Sequence, residues 1–185
     1  METQLQEQTT YAVDPAHSTV EFIVRHLMIA KVRGRFTTFT GQVQVPTGGD
    51  LPSSITATIE ASSIDTREEQ RDGHLRSADF FDAEKFPQLT FRSTRIHGDP
   101  DDFTIDGDLT IHGVTHPVKL NGTFEGRATD PYGNQRVGYA AHGKISRKDF
   151  GLTWNAALET GGVAVSDEVR IELNVEAILQ QKAGS

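Results

Sequence analysis

From Thr19 onward, apolar and polar residues trade places at every second position. In "TVEFIVRH", Val20, Phe22 and Val24 fall on one side and Glu21 and Arg25 on the other, with Ile23 breaking the rule. "GQVQV" sets Val43 and Val45 against Gln42 and Gln44, and "ITATIE" sets Ile55, Ala57 and Ile59 against Thr56, Thr58 and Glu60. "FTIDGDLTI" places Phe103, Ile105, Leu109 and Ile111 on one face, and "VKLNGTFEG" and "VRIELNVEAI" repeat the pattern. Period-two alternation is the mark of strands with one dry and one wet face, which belong to antiparallel sheets. Turn residues separate the runs at Pro46-Thr47-Gly48-Gly49-Asp50, His112-Gly113, Asp130-Pro131-Tyr132-Gly133-Asn134 and Gly161-Gly162. Gly107 and Gly122 sit inside long runs and are expected to be bulges or bends where a curved sheet closes. About eight strands at this length predict a single all-β domain, an up-and-down antiparallel barrel able to hold one small ligand. The domain is expected over residues 11–180, between a loose tail at 1–10 and a short one at 181–185.

One stretch breaks the alternation. Residues 67–87, "REEQRDGHLRSADFFDAEKFP", begin with charges and end with aromatic rings. Thr66 followed by Glu69 fits a capping box, predicting a short helix from Arg67 to about Leu75 within a helical segment near 67–83. Leu75 is almost alone on that helix as a large apolar group, so Phe80, Phe81 and Phe86 must anchor it. The expected arrangement is a lid with its charges outward and its phenylalanines inward. Glu68 and Asp72, or Arg71 and Glu68, then read as a wet helix face rather than as an acid–base site.

Composition narrows the chemistry. Cysteine is absent, which excludes disulfides, thiolate zinc sites and cysteine nucleophiles. A formal charge of −8 argues against nucleic acid or an anionic membrane surface as the main partner. The polar start "METQLQEQTT" is no signal peptide, and no run nears the roughly 18 apolar residues of a transmembrane helix, so a cytoplasmic protein without stable membrane insertion is expected. Seven histidines invite a metal, but His112 and His116 flank a turn and His17 and His26 bracket the first alternating run, with no HExxH spacing. No metal or cofactor is expected. GxSxG and phosphate-loop motifs are missing too.

Taken together, "YAVDPAHSTVEFIVRHLMIAKVRGRFTTFTG", "REEQRDGHLRSADFFDAEKFPQLTFRS", "GDLTIHGVTHPVKL", "SRKDFGLTWN" and "VSDEVRIELNVEA" resemble the YceI-like family, over about Tyr11 to Leu179. The resemblance implies an extended lipocalin-like barrel with a helical segment between strands. It also implies an isoprenoid, quinone-like or fatty-acyl ligand in an apolar tunnel, and makes a homodimer reasonable. Val20, Phe22, Val24, Phe36, Phe39, Val43, Phe80, Phe81, Phe91, Ile105, Leu109, Phe124, Trp154 and Leu158 are the candidate tunnel residues. Arg25 and His26, in a basic cluster with Lys31, Arg33 and Arg35, and Tyr139 and His142 are the candidate polar contacts for a head group. The function expected is a non-enzymatic carrier of a small hydrophobic ligand. Two alternatives stay open: an enzyme on a lipid-like substrate with His74 or His142 as acid–base, and a solidly packed structural or stress-related barrel.

Overall fold

A computed structural model describes residues 5–156 and 164–181. The strands are β1 (Gln8–Val13), β2 (Thr19–His26), β3 (Ala30–Phe36), β4 (Phe39–Pro46), β5 (Ser54–Glu60) and β6 (Ile64–Asp65). After the helix α1 (Glu69–Arg76) come β7 (Gln88–Asp99), β8 (Asp102–Ile111), β9 (Val114–Thr129), β10 (Gln135–Ser146) and β11 (Glu168–Leu179). Among the described residues these eleven strands form one antiparallel sheet. It runs β1-β4-β5-β7-β8-β9-β10-β11, and β11 pairs back onto β1, so eight strands close a barrel. Sequence alternation gives it a dry inner face: along β8 the buried positions Phe103, Ile105, Gly107, Leu109 and Ile111 recur at every second residue.

The remaining strands extend the barrel at one end. β11 pairs with β1 through Ala177–Leu179 and, nearer its start, with β2 through Arg170–Asn174. β2 carries β3, and β3 carries the two-residue β6. A 3₁₀ turn over Pro15–His17, capped by Asp14, makes the step from β1 to β2. Gln8, Thr9 and Thr10, placed by the sequence in a loose tail, pair instead with Pro46, Val45 and Gln44. Their alternation is too polar to read as a strand, and the backbone pairing comes from β4.

Two local expectations are corrected. Gly107 and Gly122 are not bulged: the register shifts lie between Ser93 and Arg95 on β7 and between Gly138 and Tyr139 where β10 meets β9. The glycines instead make room for rings on neighbouring strands. A Cβ at Gly122 would lie 2.3 Å from the Phe103 ring, and one at Gly107 would lie 2.4 Å from that of Phe91. The helix is capped by Glu68, whose carboxylate accepts from the Gln70 and Arg71 amides at 3.2 and 2.6 Å, and not by Thr66. Arg67 has a φ of 64°, which turns the chain between Thr66 and the helix and frees the threonine for another role.

The buried residues form two clusters. One, at the floor of the barrel, contains Tyr11, Val43, Val45, Phe103, Ile105, Leu120, Val137, Tyr139 and Ala177. The other lies under the helical segment and contains Phe36, Ala61, Ile64, Leu89, Leu109, Ile111, Phe150 and Leu152.

Candidate ligand cavity

Between the two clusters the barrel encloses a cavity of about 460 Å³ with a lining that is almost wholly apolar. That volume falls within the roughly 300–1,000 Å³ of small-molecule sites. Strands β2 and β3 contribute Val20, Phe22, Val24 and Phe36, and β4 contributes Phe39 and Val43. Phe91, Ile105 and Leu109 come from β7 and β8. Phe80, Phe81 and Trp154 close the set from the segments that cover the end. Each of these twelve was a sequence candidate, and period two put the strand residues on the inner face. Leu158, and the Gly161-Gly162 turn, lie outside the described residues.

Phe124 is corrected. It points inward but below the cavity, because the rings of Phe103 and Tyr139, edge to face at 6.2 Å, close the floor above it. There it packs against Tyr139 with ring centroids 5.6 Å apart and lies under the Arg127 guanidinium at 5.6 Å.

The four candidate polar contacts separate. Arg25 and His26 line the cavity and are exposed, and with the exposed, lining Arg71 they mark its mouth. Tyr139 is at the floor, where its hydroxyl donates to the Asp50 carbonyl at 2.8 Å and burial pushes its pKa up. His142 is corrected: it lies on the outer face of β10, opposite Asn121 and Glu172, because its even position alternates with the inward Tyr139 and Ala141. Of the basic cluster, Arg33 bridges Glu21 at 2.6 Å and Glu172 at 2.7 Å, and Arg35 meets Asp65 at 3.2 Å. Arg25 and Lys31 face each other across β2 and β3 with no ion pair among the described residues.

The lid does not sort its charges outward and rings inward. Asp72 is 6% exposed, and its carboxylate accepts from the Thr66 amide at 2.9 Å and the Thr66 hydroxyl at 2.5 Å. Arg71 donates from Nε to that hydroxyl and from Nη2 to the Thr66 carbonyl, both at 2.7 Å. Thr66, Arg71 and His74 all line the cavity. His74 meets Asp79 at 2.8 Å and stands edge-on to the rings of Trp154 at 4.7 Å and Phe80 at 5.2 Å. Phe81 packs edge-on against Phe36 at 5.8 Å. Phe86 turns away and packs on His112 at 4.9 Å, fastening the end of the segment to the β8–β9 turn.

A further residue was missed by the sequence reading. Arg147, in "SRKDFG", is 4% exposed and lines the cavity. Its guanidinium donates to the carbonyls of Leu152, Trp154 and Ser166 at 2.7, 2.8 and 3.0 Å, and to that of Val165 at 3.4 Å. Asp167 stands 3.7 Å away, and desolvation draws the guanidinium pKa down. This one side chain therefore holds both flanks of the loop that carries Trp154. Among the described residues no buried side-chain polar atom lacks a partner, and no group of three His, Asp or Glu side chains is placed to hold a metal.

A closed antiparallel barrel around an apolar cavity, with one end covered by a helical segment, defines a lipocalin-like class of protein. Its sequence places it more narrowly. The model of the YceI-like domain matches residues 11–177, and the chain belongs to that family. It is 39% identical over 165 residues to protein YceI of Escherichia coli, covering 89% of this chain and 83% of that one. Among solved structures, BcnA of Burkholderia cenocepacia superposes with a TM-score of 0.76 at 25% identity, over 89% of this chain and 99% of that one. A polyisoprenoid binding domain from Saccharophagus degradans shares the fold with a TM-score of 0.64 at 18% identity, over 92% and 98% of the two chains.

Proposed function

We propose that the protein is a non-enzymatic carrier that encloses one long apolar chain, of the isoprenoid, isoprenoid-quinone or fatty-acyl class. The observation that carries this reading is the cavity: about 460 Å³ lined by aromatic and aliphatic side chains, with charged groups gathered at one end. The polyisoprenoid-binding neighbour and the family support the ligand class. Transfer of a methylene from water to such a lining is worth about 0.8 kcal/mol, so an alkyl chain of some length overcomes the cost of ordering it. The chain end lies against Phe103 and Tyr139, and the head group stays at the mouth beside Arg25, His26, Arg71 and His74. The segment 67–86 acts as the gate, because its inward rings rest on cavity residues.

The test separates greasy contacts from polar ones. Trp154→Ala or Phe81→Ala weakens retention of a fluorescent polyene fatty acid about tenfold, the value of roughly 1.4 kcal/mol of lost contact. Arg71→Ala has a smaller effect, because its guanidinium is engaged with Thr66. Equal effects from all three variants would contradict the reading.

A further inference from the structure

Six large hydrophobic side chains are exposed among the described residues, and three of them are consecutive: Leu27, Met28 and Ile29, exposed by 36, 50 and 83%. They form the tip of the β2–β3 hairpin. The Ile29 amide donates to the His26 carbonyl at 3.1 Å across the turn, and its central residues have positive φ, 53° at Leu27 and 60° at Met28. Turns of this kind select Asn and Gly, which tolerate that backbone. Leucine and methionine are strained there and do not shield their apolar surface from water, so the fold alone does not account for them.

The tip is continuous with the mouth. The Leu27 amide donates to the Ala164 carbonyl at 2.9 Å, and His26 bridges Val165; His26, Ala164 and Val165 all line the cavity. Immediately behind the apolar tip stand Arg25 and Lys31, paired across the hairpin and without acidic partners among the described residues. An apolar point backed by two cations matches the layering of a bilayer surface, acyl chains beneath anionic headgroups. Three partly exposed side chains offer at most a few hundred Å², against the roughly 800 Å² per partner of a stable protein interface. The tip is too small for a protein partner and sufficient for shallow, reversible insertion. The net charge of −8 does not oppose this, because charges more than about 10 Å away are screened at 0.1 M salt.

We propose that the β2–β3 tip docks the protein on a bilayer carrying anionic lipid, with Leu27, Met28 and Ile29 among the acyl chains and Arg25 and Lys31 at the headgroups, so that the mouth of the cavity opens at the membrane surface. The use of this docking for loading a ligand rests on the carrier reading; the docking itself does not.

The experiment is flotation of the purified protein with vesicles of phosphatidylcholine alone or mixed with phosphatidylglycerol, at about 0.1 M and about 1 M salt. The mixed vesicles carry the protein at about 0.1 M salt, and about 1 M salt or Arg25→Gln with Lys31→Gln releases most of it. The triple variant Leu27→Asn, Met28→Gly, Ile29→Ser loses at least tenfold in bound fraction. That variant supplies the residues the turn prefers, so a folding defect is not expected to mask the result. Failure of the wild type to float with mixed vesicles, or unchanged flotation of the triple variant, overturns the proposal. Equal flotation with pure phosphatidylcholine overturns the role of the two cations. Self-association that the triple variant abolishes, without vesicle binding, assigns the tip to a second copy instead. Docking without any acquired ligand leaves the docking standing and counts against the carrier reading.

Discussion

At the floor of the barrel, Arg136 and Arg127 tie strands and a loop around a packed core; at the mouth, buried Arg147 and Asp72 tie irregular segments down. Arg136 on β10 reaches Asp14 at 2.7 Å, Asp130 at 2.8 Å and Glu176 at 3.0 Å, joining three parts of the chain over the outer surface. Arg127 clamps the β4–β5 loop, donating to Asp50 at 2.8 Å and to the Tyr11 hydroxyl at 2.9 Å. Behind these pairs the floor is a ladder of paired strands packed with apolar side chains. At the mouth, β2, β3 and β6 leave the cylinder and the cover is made by irregular segments, whose polar backbone must be satisfied away from water. Buried Arg147 and Asp72 do this, each bonded to the chain nearby. The comparison separates a fixed end from a cover that is fastened at a few points, which is where an entrance can open.

Removing a fastening from the cover gives the largest expected effect. Arg147→Ala leaves the carbonyls of Leu152, Trp154, Val165 and Ser166 without their donor. At about 1–3 kcal/mol for an unsatisfied buried group, partly relieved by entering water, we expect a loss of roughly 3 kcal/mol in urea unfolding. A loss near zero would show that water replaces the guanidinium freely and that the cover is not held by it. Next comes Gly34→Ala. Its Cβ would lie 2.2 Å from the Phe22 ring, which must then swing into the cavity. Overpacking of this kind costs about 1–3 kcal/mol, and ligand binding weakens because the ring takes ligand space. Unchanged binding together with that stability loss would place the ligand elsewhere.

The smallest effect concerns pH at the floor. Hydrogen bonding from Arg136, then from His17, lowers the Asp14 carboxyl from 3.8 to about 2. A carboxyl whose folded value is depressed stabilises the fold fully above its unfolded value, so this contribution is present above pH 3.8 and lost as the pH falls through about 2. Asp130 is lowered as well, first by Arg136. Unfolding midpoints measured across this window fall more steeply for the wild type than for Arg136→Gln; parallel curves would remove the ion cluster from the account.

Much of the barrel was legible in the sequence because each strand residue has only two directions to face. Val20, Phe22 and Val24, or Ile105 and Leu109, declare their side by alternation alone. The errors arise where distance along the barrel or nonlocal partners decide. Phe124 has the correct inward parity but stands below the rings that end the cavity. Tyr139 and His142 are three apart and cannot share one strand face, so taking both as inward conflicted with the period itself. Asp72 and Arg147 are spelled like surface charges. Their burial follows from the Thr66 amide and hydroxyl and from carbonyls at 152, 154, 165 and 166, which local composition does not reveal. The basic cluster divides for the same reason: Arg33 and Arg35 find carboxylates on neighbouring strands, whereas Arg25 and Lys31 do not among the described residues.

Whether the cavity holds an apolar chain is decided by native mass spectrometry of freshly purified protein. The expected result is a discrete added mass that disappears on solvent extraction and is recovered in the extract as an isoprenoid or acyl species. A clean unliganded mass that stays unchanged after incubation with isoprenoid quinones and fatty acids would contradict it.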